Sequence, residues 1–428
     1  MITIRVPGDK SISHRALIMA ALAEGNSQIR GLARGADLRA TRAALEALGA
    51  PAIGPGEGGE PIEISGPIEL RSPGSVIDCG NSGTTARLLM GLIAGSPVRA
   101  TLDGDESLRR RPMGRVVAPL RRAGAVAREL EGPGHLPIEI EGRRLDRIEH
   151  ESEVASAQVK SALLLAGLAS RVAVTVIEPG ASRDHTERLL RAMGAHIEWE
   201  PWDRGMRVSL DPPLGPLKPI DMTVPGDFSS AAFWLGLAVL GGCGAELRVE
   251  GVGLNPGRTG FLRVLEAMGA GFDVVTTHEE MGEPVGEVVA HPSALRGVEI
   301  PPEWVPSLID EIPVLAIVAS RAVGQTILRG ARELRVKESD RIAALHANLV
   351  ALGISSTELP DGLEIEGGER AVSGAVEARG DHRIAMAFGV LGAVPGNSIA
   401  VDDRASALVS YPGFWEQLAQ LAVSGAEP

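Results

Sequence analysis

Six times along the chain a polar start gives way to an almost unbroken apolar run. The runs are SISHRALIMAALAEG from Ser11, NSGTTARLLMGLIAG from Asn81, SAQVKSALLLAGLAS from Ser156, SSAAFWLGLAVLGG from Ser229, SLIDEIPVLAIVAS from Ser307 and DHRIAMAFGVLGAVPG from Asp381. The starts are spaced by 70, 75, 73, 78 and 74 residues, which predicts one supersecondary unit used six times. Helices that are apolar nearly all round belong inside a lobe.

Between these runs lies a second kind of helix, with apolar residues at i, i+3, i+4 and i+7 and usually a Gly at its end. The pattern places it at 37–50, 109–125, 184–195, 258–270 and 337–354, and more weakly at 407–421. These read as amphipathic surface helices. Strand-like runs at 171–176, 197–200 and 245–249 fill the gaps, so each unit reads as about two helices and four strands. The best internal match sets Thr3-Ile4-Arg5-Val6-Pro7-Gly8-Asp9 against Met222-Thr223-Val224-Pro225-Gly226-Asp227, with three repeats between the copies and three after. Two pseudo-equivalent lobes are expected: 9–225, and 1–8 plus 226–428. Hinges are expected near 7–10 and 224–228, although stiff turns in a duplicated fold would look the same.

Composition narrows the class. With 428 residues, 44% hydrophobic and 23% charged, the chain reads as an ordinary soluble globular protein able to bury more than one core. A net charge of −13 argues against nucleic acid or an anionic membrane as partner, so an anionic ligand must be held by a local cluster of cations. Cys79 and Cys243 lie in apolar, Gly-rich surroundings and read as buried thiols, not as a disulfide framework. With no signal-peptide pattern at the N-terminus, a cytoplasmic location is expected. Aromatics are only 3%, so Ala, Leu, Val and Ile are expected to fill the cores.

Chemistry collects where the buried helices begin. The first carries Lys10, Ser11 and Arg15; the second Asn81, Gly83, Thr84 and Arg87; the third Ser156, Gln158 and Lys160; the sixth Asp381, His382 and Arg383. Helix N-termini are electropositive, and cations added there make anion sites. Any one of these starts can be a mere cap; four in a repeat architecture point to a shared anionic ligand. Loops add Arg109-Arg110-Arg111, which can also be a solvated face, and Arg183. They also add the segment from Glu333 to Arg341. There Lys337 and Arg341 are four apart, which puts them on one helical face beside Glu338, a candidate proton carrier. Asp310 is either a helix cap or a general base. No HExxH, CxxC pair, GxGxxG or GxSxG occurs, and the histidines lack metal-ligand spacing, so no metal and no organic cofactor is expected.

With these motifs the chain resembles the 5-enolpyruvylshikimate-3-phosphate synthase family. The matching segments are PGDKSISHR at 7–15, GNSGTTAR at 80–87, RRPM at 110–113 and SAQVKS at 156–161. RDHTE at 183–187, PGDFSSAAF at 225–233, RVKESDR at 335–341 and DHRIAM at 381–386 follow in family order. The SAQVKS and SRDHTE wording is similar to the bacterial class that includes glyphosate-tolerant members. The resemblance implies an α/β fold of two lobes, each of three βαβαββ repeats around buried helices, an inside-out α/β barrel, with the N-terminal strand in the C-terminal lobe. It implies transfer of the enolpyruvyl group of phosphoenolpyruvate to the 5-hydroxyl of shikimate 3-phosphate, on the route to chorismate and the aromatic amino acids. A monomer inhibited by glyphosate is expected.

Carried over by motif, Ser11, Arg15, Asn81, Ser156, Gln158, Arg183 and His382 belong to substrate binding, with Arg183 near the phosphate of shikimate 3-phosphate. Lys10, Gly83, Arg111, Arg341 and Arg383 are implied around phosphoenolpyruvate, and Lys337 between the two substrates. Asp310 is implied as the base for the 5-hydroxyl; Glu338, with Lys10 near it, is implied to protonate the methylene. Three departures stand out: Val409-Ser410-Tyr411-Pro412 where many members have Lys before Thr-Phe-Pro, His185 where Tyr is common, and Ala157 in place of Ser. The sibling transferase acting on UDP-N-acetylglucosamine usually has a Cys in the loop matching 103–113; here there is none. A non-catalytic anion-binding repeat protein is the other alternative, disfavoured by the two candidate proton carriers.

Overall fold

Five of the six buried helices begin where a short polar side chain satisfies a first-turn N–H group. In the computed structural model, which describes residues 1–54, 60–203 and 205–423, Asp9 accepts from Ile12 N–H at 2.9 Å and starts the helix Lys10–Leu22. Ser82 and Ser156 do the same for Gly83–Ala94 and Ala157–Ser170. Asp227 and Asp381 cap Phe228–Val239 and His382–Gly392. The fifth helix, Ile312–Arg321, has no side-chain cap and carries a Pro in its first turn. All twelve residues of Phe228–Val239 are buried, and the other five are nearly so.

The strands repeat one order. In the second unit Ile77–Asp78 lies parallel to Arg99–Asp103, Ile138–Glu141 pairs antiparallel with that strand, and Val126–Glu129 takes the far edge. The same order recurs in Ile148–Glu151, Val174–Glu178, Gly205–Leu210 and Ile197–Trp202. It recurs again in Glu299–Ile300, Gly324–Leu328, Gly362–Gly367 and Ser355–Leu359. Two sheets borrow their first strand: Ile2–Arg5 pairs parallel with Leu247–Gly253, and Asp221–Thr223 pairs parallel with Gly25–Arg30. The sixth repeat keeps only a parallel pair, Ser373–Val376 with Ser398–Val401. Among the described residues these six sheets stay open and separate, so the α/β repeats close no strand barrel.

The chain divides into two compact units. The N-terminal unit is Gly8–Val224 with Glu279–Glu283; the C-terminal unit is Met1–Pro7, Pro225–His278 and Pro284–Pro428. Each has its own hydrophobic core. The N-terminal core is aliphatic, as the composition suggests. The C-terminal core is not: Phe233, Trp234, Tyr411 and Phe414 form one aromatic cluster, with Trp234 and Phe414 stacked at 4.9 Å. Tyr411 is a core residue there, its hydroxyl accepting from Trp234 Nε1–H at 3.0 Å. In the N-terminal unit the helices Gly83–Ala94 and Ala157–Ser170 meet so closely that a Cβ on Gly91 would lie 1.9 Å from Ala162 O, so only glycine fits. Cys79 and Cys243 are buried, and burial pushes the Cys243 thiol up to about 11.

Three surface helices differ from the sequence pattern. The 109–125 stretch is two helices, Glu106–Arg109 and Gly114–Arg122, broken by the turn that holds Arg111 and Pro112. The 407–421 stretch is a 3-10 turn, Arg404–Val409, then the helix Phe414–Leu421, separated by Pro412-Gly413. The 337–354 helix starts late, at Arg341, because Asp340 caps it through Ala343 N–H at 3.0 Å. Lys337 and Glu338 therefore precede the helix, and Lys337 does not share a helical face with Arg341. Among the described residues no helix is long and apolar enough to cross a membrane.

Candidate active site

Two sets of polar residues gather at the helix starts, one in each unit. In the N-terminal unit Lys10 Nζ donates to Asp37 Oδ2 at 2.8 Å, so the first cation is held by a carboxylate that the motif reading missed. Ser11 is half-buried beside it. Arg15, one helical turn on, is buried. Its three nitrogens donate to Thr186 Oγ1 at 2.7 Å, Ser161 Oγ at 2.8 Å and Ser11 O at 2.9 Å. All three acceptors are neutral. Burial pulls the guanidinium pKa down to about 10, with Glu187 pulling it partly back. A buried cation bonded only to neutral oxygens is a candidate anion receptor.

At the second helix Arg111 donates to Asn81 Oδ1 through a short bond, and Asn81 Nδ2 donates to Asp105 Oδ2 at 2.7 Å. Gly83 opens the helix between them; a Cβ there would meet Arg87 Nη1 at 2.8 Å and Arg111 Nη1 at 3.4 Å. Arg87 donates to Gln158 Oε1 at 2.5 Å, and Gln158 Nε2 donates to Thr84 Oγ1 at 2.9 Å. The second and third helix starts are thus cross-linked by side chains. Ser156 caps the third helix, and Arg183 sits half-buried in the loop before the helix His185–Ala192. His14, one residue before Arg15, is fully buried against Thr41 at 2.6 Å; burial lowers its pKa to about 3, so it stays neutral.

In the C-terminal unit the chemistry centres on Arg341. Its guanidinium donates to Asp381 Oδ2 at 2.8 Å and to Glu338 Oε2 at 2.6 Å. Burial works against the charge, but Asp381, Glu338 and Asp310 outweigh it and hold the pKa above its ordinary value. Burial would likewise raise Asp381, yet Arg341 keeps it below the usual carboxylate range. Lys337 Nζ and Arg341 Nη1 approach the same oxygen, Asp310 Oδ1, at 3.4 and 3.5 Å. Arg258 lies 3.8 Å from Asp310 Oδ2, and Arg383 donates to the Asp310 carbonyl at 2.8 Å. His382 is buried on the first turn of the sixth helix. Asp310 lies in the turn before the fifth helix and does not cap it; Glu311 stands between it and the first helical residue.

The structure brings together Lys10, Ser11 and Arg15; Asn81, Gly83, Arg111 and Gln158; and Asp310, Lys337, Glu338, Arg341 and Arg383. The sequence reading missed Asp37, Ser161, Thr186 and Arg258. Only Thr186, inside RDHTE, and Ser161, inside SAQVKS, carried a signal that could have marked them.

These cations and carboxylates stand on a fold already seen in another protein. The enolpyruvyl transferase NikO from Streptomyces tendae matches 98% of this chain and 94% of its own with a TM-score of 0.76, at 20% identity, which is a likeness of fold. The likeness is in the repeated strand–helix units that build the two compact units, each around its own core. The family model for EPSP synthase (3-phosphoshikimate 1-carboxyvinyltransferase) matches residues 2–418, and the chain belongs to that family. It is 46% identical over 421 residues to the 3-phosphoshikimate 1-carboxyvinyltransferase of Synechococcus sp. (strain RCC307), covering 98% of this chain and 96% of that one. It is 48% identical over 423 residues to that of Gloeobacter violaceus, with 98% and 96% covered. The structure of EPSP synthase from Acinetobacter baumannii matches with a TM-score of 0.84 at 38% identity, over 98% of this chain and 95% of that one. The reaction of the family is transfer of the enolpyruvyl group of phosphoenolpyruvate to shikimate 3-phosphate, in aromatic amino acid biosynthesis.

Proposed function

We propose that this chain catalyses that transfer with the following division of roles. Ser11, Arg15, Asn81, Ser156, Gln158 and Arg183 bind shikimate 3-phosphate. Lys10, Gly83, Arg111, Arg341, His382 and Arg383 serve phosphoenolpyruvate. Asp310 removes the proton of the 5-hydroxyl as its oxygen bonds to C2 of phosphoenolpyruvate, while Glu338 or Lys10 delivers a proton to C3. In the second half a methyl proton returns to the acid group, the C2–O bond to phosphate breaks, and the double bond re-forms. Lys337 and the arginines stabilise the charge on the departing phosphate. The observation that carries this reading is Arg15, a buried cation whose hydrogen bonds all go to neutral oxygens.

Glyphosate is proposed as a competitor of phosphoenolpyruvate. The protein is proposed to work in the cytoplasm, which its free, buried cysteines fit, and as a monomer. The chain passes between its two units at Pro7/Gly8, Val224/Pro225, His278/Glu279 and Glu283/Pro284, and the first two of these are the proposed hinges. The test is a phosphate-release assay on the purified protein. Phosphate should appear only when phosphoenolpyruvate and shikimate 3-phosphate are both present, and a chelator should change nothing. Release with UDP-N-acetylglucosamine in place of shikimate 3-phosphate would overturn the substrate assignment.

A further inference from the structure

We infer that Glu178 is a positioning residue for shikimate 3-phosphate, acting through Ser156 and the loop of Ser182 and Arg183. This rests on the placement of that substrate at Ser156, Gln158 and Arg183 proposed above. Glu178 ends the strand Val174–Glu178 and is 1% exposed. Its Oε1 accepts from the Ser156 N–H at 2.8 Å. Its Oε2 accepts from the Ser182 hydroxyl at 2.8 Å and pairs with Lys160 Nζ at 2.8 Å. One carboxylate thereby ties the N-cap of the helix Ala157–Ser170 to the loop that leads into His185–Ala192. Ser156 and Gln158 project from the first of these, and Arg183 from the second.

Lys160 is 2% exposed and pairs also with Glu187 Oε1 at 2.7 Å. Burial opposes its charge, but Glu187 and Glu178 outweigh it and hold the ammonium pKa above its ordinary value. Two carboxylates on one buried ammonium are more charge than packing requires, since apolar side chains of similar size would pack as well or better. Their contacts tell them apart. Among the described residues the Glu187 carboxylate ties the ammonium to no further side chain, and burial raises its pKa despite Lys160. Glu178 alone reaches Ser156 and Ser182, so it sets the geometry of both substrate-binding segments, while Glu187 balances the charge of Lys160.

The test compares steady-state constants of the whole protein. Glu178→Gln keeps the shape but offers one acceptor oxygen and turns an NH2 group toward a donor. Losing one buried charge-assisted hydrogen bond should raise the KM for shikimate 3-phosphate roughly ten- to a hundredfold. The KM for phosphoenolpyruvate, and kcat at saturating shikimate 3-phosphate, should stay near the parent values. Glu187→Gln should lower the urea midpoint and leave the KM for shikimate 3-phosphate at or below the parent value, because Ser156 and Ser182 keep their acceptor. Arg183→Ala checks the underlying placement: an unchanged KM for shikimate 3-phosphate there refutes the placement itself. A raised KM in Arg183→Ala with none in Glu178→Gln refutes the role of Glu178. Equal loss in all constants for both Glu variants refutes it too. If circular dichroism shows Glu178→Gln unfolded, Ser182→Ala decides. It removes one of the bonds to Glu178, and an unchanged KM for shikimate 3-phosphate overturns the inference.

Discussion

Arg15 Nη2 donates to Ser161 Oγ at 2.8 Å across 146 residues of sequence, and among the described residues no carboxylate neutralises it through a hydrogen bond. Arg341 is equally buried but is ringed by Asp381, Glu338 and Asp310. The two buried guanidiniums thus differ: the hydrogen bonds of Arg15 go to neutral oxygens, those of Arg341 to carboxylates. Arg15→Lys keeps one positive charge but loses the planar fork that reaches Thr186, Ser161 and Ser11 together. The Kd for shikimate 3-phosphate should rise by at least about tenfold, on the order of one lost charge-assisted hydrogen bond. Calorimetric titration with shikimate 3-phosphate measures it directly; parent-like affinity would remove Arg15 from the binding site.

Glu338 bonds Arg341 at 2.6 Å, and Arg341 keeps Asp381 when Glu338 is changed. Glu338→Gln can still accept from Arg341, so the fold of this segment should survive while the proton is lost. Turnover should fall roughly 10²–10⁴-fold, the range for a missing general acid–base group. Binding of shikimate 3-phosphate should change little. Near-normal turnover would leave Glu338 as a support for Arg341 and move the proton to Lys10.

The repeat was legible because burial on all sides leaves a long apolar run with a polar cap, a signal that survives in one sequence. The six helix starts fell within about two residues of expectation, except at Ser307, where the chain first makes the 3-10 turn Pro302–Ser307 and helix begins only at Ile312. Lys337 was misplaced because a charged segment with i, i+4 spacing looks helical whether or not an Asp cap ends the loop first. The cap at Asp340 was written in the sequence, yet Ser339 and Glu338 beside it offered equal signals. Which residues partner the cations was not legible. Asp37 for Lys10, Thr186 for Arg15 and Glu178 for Lys160 come from elements brought together only by packing. No spacing rule connects residues 27 or 171 positions apart.

His14 gives a pH dependence with a definite sign. Its folded pKa, lowered by burial to about 3 from 6.5, means the unfolded chain binds a proton that the folded one does not between those values. Stability is therefore lost as pH falls from 6.5 toward 3, at about 1.4 kcal/mol per pH unit once well below 6.5. Between pH 7 and pH 5 the cost from His14 alone is about 2 kcal/mol. Urea unfolding at the two pH values should show this loss in the parent and a smaller one in His14→Gln. Equal pH dependence in both proteins would mean that His14 charges in the folded state.

Gly83 sets up the last expectation, on glyphosate. The residue lies in regular helix at the first turn, so Ala suits the backbone, and any effect comes from the methyl group itself. That methyl would meet Arg87 Nη1 at 2.8 Å and Arg111 Nη1 at 3.4 Å. Arg87 is a flexible side chain and can withdraw, but its Nη1 holds Gln158 at 2.5 Å, so the shift is passed toward the shikimate 3-phosphate set. Arg111 is fastened to Asn81 and has less room to move. A longer ligand than phosphoenolpyruvate feels both the methyl and the displaced guanidinium. Crowding in a packed site costs roughly 1–3 kcal/mol, or about one to two decades in affinity. The parent enzyme, with glycine here, is expected to be inhibited competitively with phosphoenolpyruvate. Gly83→Ala should raise the inhibition constant for glyphosate much more than the KM for phosphoenolpyruvate, with a small rise in the KM for shikimate 3-phosphate through Arg87 and Gln158. Measuring all three constants in both proteins checks it: an insensitive parent, or equal shifts for glyphosate and phosphoenolpyruvate, would show that the selectivity is set elsewhere than at Gly83.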